Sequence, residues 1–297
     1  MTENILTQDI AADEIPPRKS QIGEIWHRFK KNKLGVYGLI VLCLLIVLCV
    51  CAPLVASYEE CITMDVRNKL LKPSLDHFFG TDGYGRDLFA RCLHGGRVSL
   101  LIGLSTSLLS LLAGGLLGLL AGFYGGKVDE ILMRALDILN AIPTILLALA
   151  IVAALGSTIP NMIIALAISR LPGFARLTRA SVLSEADKEY VEAAKAGGTS
   201  DFRIMVRHIL PNIAGPMIVQ TTMNVAAMIL QAASMSFLGL GVTAPQPEWG
   251  ALISEAKEFM RSAPHLITFP GLLIILSASA VSLLGDGLRD ALDPRLK

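Results

Sequence analysis

Apolar residues in this chain gather into long runs separated by polar bands, and six runs are long enough to be membrane-crossing helices. They are about Gly35 to Ala56, Val98 to Phe123, Ile131 to Leu155, Ile159 to Leu177, Pro216 to Leu240 and Leu266 to Leu284. A hydrocarbon core about 30 Å thick needs roughly twenty helical residues, because an unpaired backbone amide finds no partner in lipid. The pattern predicts an all-α polytopic protein: a polar tail over 1–33, a membrane domain over 34–285 and a closing tail over 286–297. The first apolar run begins at Leu34, too far along for the core of a cleaved signal peptide, so it reads as a retained anchor.

Composition agrees. The chain is 53% hydrophobic and 17% charged, with a mean hydropathy of +0.58, which excludes an ordinary soluble domain. A formal net charge of +1 gives no sign of a nucleic-acid partner. If the N-terminus is cytoplasmic, 17 Lys and Arg fall on the inner side, among them Arg18, Lys19, Arg295 and Lys297, against 8 on the outer side. Positive loops are retained inside, so both termini are expected in the cytoplasm and lipid surrounds the spans. Of the five cysteines, Cys43, Cys49 and Cys51 sit in one apolar run as small hydrophobes; Cys61 and Cys92 share an outer segment, but no disulfide framework accompanies them.

Within the spans, Gly114, Gly118 and Gly122 form a four-residue ladder suited to close helix packing. Pro143, Pro172 and Gly173 permit bends. Arg134 and Asp137, three apart, are expected to satisfy each other.

The longest inner segment, 180–215, is not a simple linker. Ser184 to Lys195 has helical composition, with Glu185, Glu189 and Glu192 on neighbouring turns and Tyr190, Val191, Ala193 and Ala194 as an apolar, small face. Gly197, Gly198, Thr199 and Ser200 break it, and Asp201 reads as the N-cap of a second helix ending before Pro211. A helix pair with small residues on its face is the right shape to lie in a groove on a soluble partner.

Glu192, Ala193 and Ala194, then Gly198, then Leu210 and Pro211, have the spacing of the coupling motif of permease subunits of ATP-binding-cassette importers. The match departs at His208, which stands where the motif has isoleucine; Ile209 follows it. "HFFGTDGYGRDLFARCLHGGRVSL" from His77, "FYGGKVDEILMRALDILNAIP" from Phe123, "SFLGLGVTAPQPEWGALI" from Ser236 and "GDGLRDALDPRLK" from Gly285 widen the resemblance to the second permease of dipeptide, oligopeptide and nickel importers. The resemblance implies a type I importer fold of six helices with a cytoplasmic coupling loop in the bacterial or archaeal plasma membrane. It also implies a second homologous permease, two ATP-binding subunits that hold ATP and Mg2+, and an extracytoplasmic substrate-binding protein. This chain would bind no cofactor. Coupling would fall to Glu189, Glu192, Ala193, Ala194, Gly198, Leu210 and Pro211.

The absent motifs point the same way. A phosphate loop needs GxxxxGK followed by Ser or Thr, and the nearest approach, Gly126 and Lys127, is followed by Val128 and has Ala121 in the first glycine position. An intramembrane enzyme would need HExxH or a GxGD aspartate; Asp286 is preceded by "LLG" instead. An ion-coupled transporter would draw on Arg134, Asp137 and Arg170, the few charges inside spans. For the path itself, Gln220, Asn224 and Gln231 share one face of the fifth span and supply polar, uncharged walls suited to a peptide, with hydrogen bonding between helices as the alternative use. No His or Cys cluster in the spans points to a metal site, so a peptide is the expected cargo and nickel the alternative. In the outer loop, Glu248 and Trp249 resemble a signature near the binding-protein docking surface, and the tryptophan equally suits an interfacial anchor.

Overall fold

The computed structural model describes residues 21–292; Arg18, Lys19, Arg295 and Lys297 lie outside them. The described residues form helices joined by loops, with one isolated β-bridge between Thr81 and Asp87. The chain enters through α1 (Gln21–Lys31), where Trp26 stacks on Phe29 at 5.7 Å, and turns into α2 (Lys33–Val50). Asn32 caps α2 by accepting from the Gly35 N–H. Its amide nitrogen also donates to Asp290 at 2.8 Å and so pins the first apolar helix to the end of the last.

α3 (Leu88–Tyr124) starts ten residues before the expected span, because Asp87 caps it by accepting from the Ala90 N–H. At 37 residues it is roughly 55 Å long, well beyond a hydrocarbon core. The expected third span is two helices, α4 (Gly126–Asn140) and α5 (Thr144–Leu155), bent by 84° at a break that contains Pro143. Proline removes an N–H and pushes the residue before it out of helical conformation, which ends α4. α6 (Ile159–Ala186) runs through Pro172 without a break and extends nine residues past the expected end at Leu177.

The segment after α6 departs from expectation in three ways. Ser184 to Ala186 finish α6, and a separate α7 (Glu189–Ala196) follows after a kink at Asp187 and Lys188. Ser200, not Asp201, occupies the N-cap position of the next helix. That helix does not end before Pro211 but continues as α8 (Asp201–Phe237), with a π-helical turn over Met205–Ile209. Pro211 is tolerated because it falls in the first turn after the π segment, where the ladder is already re-registered. α9 (Trp249–Glu255) and α10 (His265–Leu292) complete the bundle.

α2, α3, α8 and α10 are each long and apolar enough to cross a membrane, and the bent α4–α5 pair makes a fifth such unit. α6 has the length, but Arg170, Arg176 and Arg179 dilute its apolarity. The glycine ladder explains how α6 is held: a Cβ on Gly118 would strike the Ala175 carbonyl, and one on Gly114 or Gly122 would meet Phe174 or Val182 within 2.8 Å. α3 and α6 therefore pack backbone to backbone. The expected Arg134–Asp137 pair does not form. Arg134 bonds Glu130 one turn earlier at 2.7 Å, while Asp137 accepts from Arg176 across on α6 at 2.9 Å.

Candidate functional site

One end of the bundle carries the motif residues. Val191 is fully buried in a cluster with Leu119, Val182, Ile204, Ile209 and Ile213, which fastens α7 to α3, α6 and α8. Ala194 packs half-buried against the same cluster, whereas Glu189, Tyr190, Glu192 and Ala193 stay on the surface. The anticipated apolar face is thus split: Val191 and Ala194 point inward, and Ala193 is presented outward.

Gly198 has φ +73°, and the amides of Gly198 and Thr199 bond back to Lys195 and Ala194 at 3.0 and 3.1 Å. This is a Schellman turn, in which a left-handed residue satisfies the last carbonyls of the helix, and glycine enters that conformation without a Cβ clash. Nothing lies within 4 Å of a Cβ built there, so the surface beside α7 is open. Phe202, 73% exposed, follows directly.

The departure at His208 has a local explanation. A π turn holds one extra residue, and it places Ile209, one position late in the motif, fully buried in the cluster, while His208 is left half-buried. Leu210 is 37% exposed and Pro211 is exposed beside it.

Tyr190 was not among the expected site residues, yet its hydroxyl donates to Glu185 on α6 at 2.6 Å and accepts from Asn212 on α8 at 3.2 Å. Partial burial and the bond to the Glu185 carboxylate push the phenol up to about 12. Glu185 is itself pushed up by desolvation, but bonds from Lys188 and Tyr190 outweigh this and hold it below the usual range. Lys195 lies 5.5 Å over the Phe123 ring at the end of α3. α7 is therefore tied to three long helices at once. The missed signal was a tyrosine among glutamates, which reads as generic amphipathicity until its partners are known.

The three residues of the candidate path separate. Gln220 lines an open groove of about 430 Å³ with Leu177, Pro216, Val219, Met223 and Arg289. Asn224 is buried and donates to Ser107 on α3 at 3.1 Å. Gln231 is buried and accepts from Arg170 on α6 at 3.1 Å.

At the opposite end, Glu248 and Trp249 are both fully buried. Glu248 caps α9, accepting from the Gly250 and Ala251 amides at 3.0 and 2.9 Å and from the Ser99 hydroxyl at 2.8 Å. Trp249 fills a slot over Gly96 and donates from Nε1 to the Cys92 carbonyl at 2.8 Å. The reason is packing: a Cβ on Gly96 would come within 2.7 Å of the indole, so the glycine makes room for it. Nearby, Arg91 shares the Asp82 and Glu255 carboxylates with Arg86, welding the loop before α3 to α9. Cys61 and Cys92 are free buried thiols, and burial pushes Cys61 up to about 12.

Residues 114–297 match the family described as binding-protein-dependent transport system inner membrane component, and residues 20–73 match the N-terminal TM domain of oligopeptide transport permease C. The chain belongs to this family of transporter permeases. It is therefore a multi-pass inner-membrane permease component, and the motif around Glu192 is read in that setting. The dipeptide transport system permease protein of Alkalihalophilus pseudofirmus is 46% identical over 274 residues, 92% of this chain and 90% of the relative. The di/tripeptide permease protein of Pseudomonas aeruginosa is 45% identical over 285 residues, 94% and 93% of the two chains. The glutathione transport system permease protein of Escherichia coli is 46% identical over 274 residues, covering 92% and 90%. Among solved structures, the inward-facing MetNI methionine ABC transporter superposes with TM-score 0.55 at 19% identity, over 69% of this permease and 96% of that chain, a likeness of fold.

Proposed function

We propose that this permease is one of two channel-forming subunits of an ATP-driven importer of di- and oligopeptides, and that α7 with the turn through Phe202 is the lever moved by the ATPases. The supporting observation is that α7 is fixed beneath by Val191 and between two long helices by Tyr190, while Glu192, Ala193 and the Gly198 turn stay open. Such a helix transmits a push to α6 and α8 together. Relatives named for dipeptides, di- and tripeptides and glutathione favour a peptide cargo over nickel.

The remaining parts follow from the family. Two ATP-binding subunits hold ATP and Mg2+, a second homologous permease completes the path, and an extracytoplasmic binding protein delivers the peptide. The domain reading is a tail over 1–33, a six-crossing membrane domain over 34–285 with its loop at 180–215, and a tail over 286–297, both tails cytoplasmic. Nucleotide-driven closure of the ATPases carries α7 with it and switches the bundle between inward-open and outward-open. Gln220 on the open groove is the path residue with the strongest support, since Asn224 and Gln231 make bonds between helices.

The test is uptake of labelled dipeptide into proteoliposomes holding the full complex. ATP-dependent uptake is expected, and Ala193→Trp is expected to leave ATP hydrolysis running while uptake is lost. Uptake driven by an ion gradient without ATP, or coupled uptake retained in Ala193→Trp, overturns the reading.

A further inference from the structure

α6 carries three arginines, and two have partners: Arg176 pairs with Asp137 and Arg179 with Asp129. Arg170 is different. It stands roughly 17 Å along the helix axis from the start of α6, and among the described residues it joins no ion pair. Its Nη2 donates to Gln231, but its Nε and the Nε2 of Gln231 are both buried without a partner. A cation in the body of a membrane helix with spare donors is costly to keep and marks a place where an anion binds.

The position lies beyond the residues that line the groove. Leu177, which lines the groove, lies seven residues after Arg170, and so on the same face of α6. Gln220, which also lines it, lies eleven residues before Gln231, three turns along the same face of α8. The two side chains therefore stand about two helical turns beyond Leu177 and Met223, the lining residues nearest to them along α6 and α8.

We propose that Arg170, positioned by Gln231, reads the terminal carboxylate of the passing peptide. The guanidinium fork matches two carboxylate oxygens, and the Gln231 bond fixes its orientation. A single half-buried cation holds a carboxylate in register without the acidic counter-wall that would repel it, and releases it when the groove opens to water. This rests on the reading of the chain as a peptide permease.

The experiment uses the detergent-purified permease–ATPase complex without its binding protein. Arg170 is modified with phenylglyoxal and followed by mass spectrometry in the presence of alanylalanine or of alanylalanine amide. Alanylalanine is expected to slow modification several-fold and the amide to leave it unchanged. Equal protection by both, protection by neither, or an Arg170 already unreactive without peptide, as permanent pairing with a carboxylate of the second permease would produce, overturns the proposal. In proteoliposomes, Arg170→Gln is expected to lower kcat for uptake at least tenfold with KM for the loaded binding protein unchanged, and Arg170→Lys to restore part of it. Full uptake by Arg170→Gln also overturns it. ATP-driven uptake of alanylalanine by the unmodified complex without protection of Arg170 removes this inference alone, while absence of that uptake removes the peptide-permease reading.

Discussion

Tyr190 and Glu185 meet at 2.6 Å across the kink between α7 and α6, and the same hydroxyl accepts from Asn212 on α8. One side chain on the proposed lever thus touches both helices that the lever has to move. Tyr190→Phe keeps the ring and removes both bonds. Each is worth about 1 kcal/mol, so α7 should open locally by about 1–2 kcal/mol more easily. Faster amide exchange across Glu189–Ala196, with global stability unchanged, is the expected result, together with weaker coupling of hydrolysis to uptake.

The same pair sets a pH window. The phenol is raised from its ordinary 10.0 to about 12, so its contribution is whole below about 10 and is lost as pH climbs through about 12. Glu185 is depressed, so its contribution is present above the ordinary carboxylate range and is lost as pH falls through the lowered value. A spin label on Ala193→Cys should therefore report an ordered α7 across neutral pH and mobility at either extreme, and in Tyr190→Phe the alkaline transition should vanish.

Gly198 is held at φ +73° with empty space around its missing Cβ. Gly198→Ala should cost about 1 kcal/mol from backbone strain alone, and Gly198→Asn less. Thermal unfolding of the purified complex checks this, with Gly198→Asn expected to retain more coupled uptake than Gly198→Val.

Packing of α3 on α6 gives a controlled comparison. Gly118→Ala drives a methyl into the Ala175 carbonyl and should destabilise by about 1–3 kcal/mol, whereas Gly173→Ala, on α6 but facing open space, should be near neutral. Detergent melting curves of the two variants decide it.

Trp249→Ala should remove about 3–5 kcal/mol by emptying the slot over Gly96. Because the indole is fully buried, the loss is expected in assembly and thermal stability, and binding-protein affinity of the surviving complex should be unchanged. Titration of that complex with binding protein measures the second part.

The chain alone specified that it would be a helical membrane protein, because only runs of about twenty apolar residues satisfy a backbone in lipid, and it placed the motif around Glu192 between two of them. It also carried the Gly198 turn, since a glycine after a short helix is a local signal that needs no tertiary partner. What only the folded chain decided was direction. Lipid and a neighbouring helix are equally apolar, so the period of a membrane helix does not say which face is inward. For that reason Gln220, Asn224 and Gln231 read as one stripe until Ser107 and Arg170 claimed two of them. Glu248 and Trp249 read as surface until a cap and a glycine slot buried them. Asp137 was matched to its neighbour in sequence until Arg176 arrived from another helix, because an ion pair is settled by which helices touch.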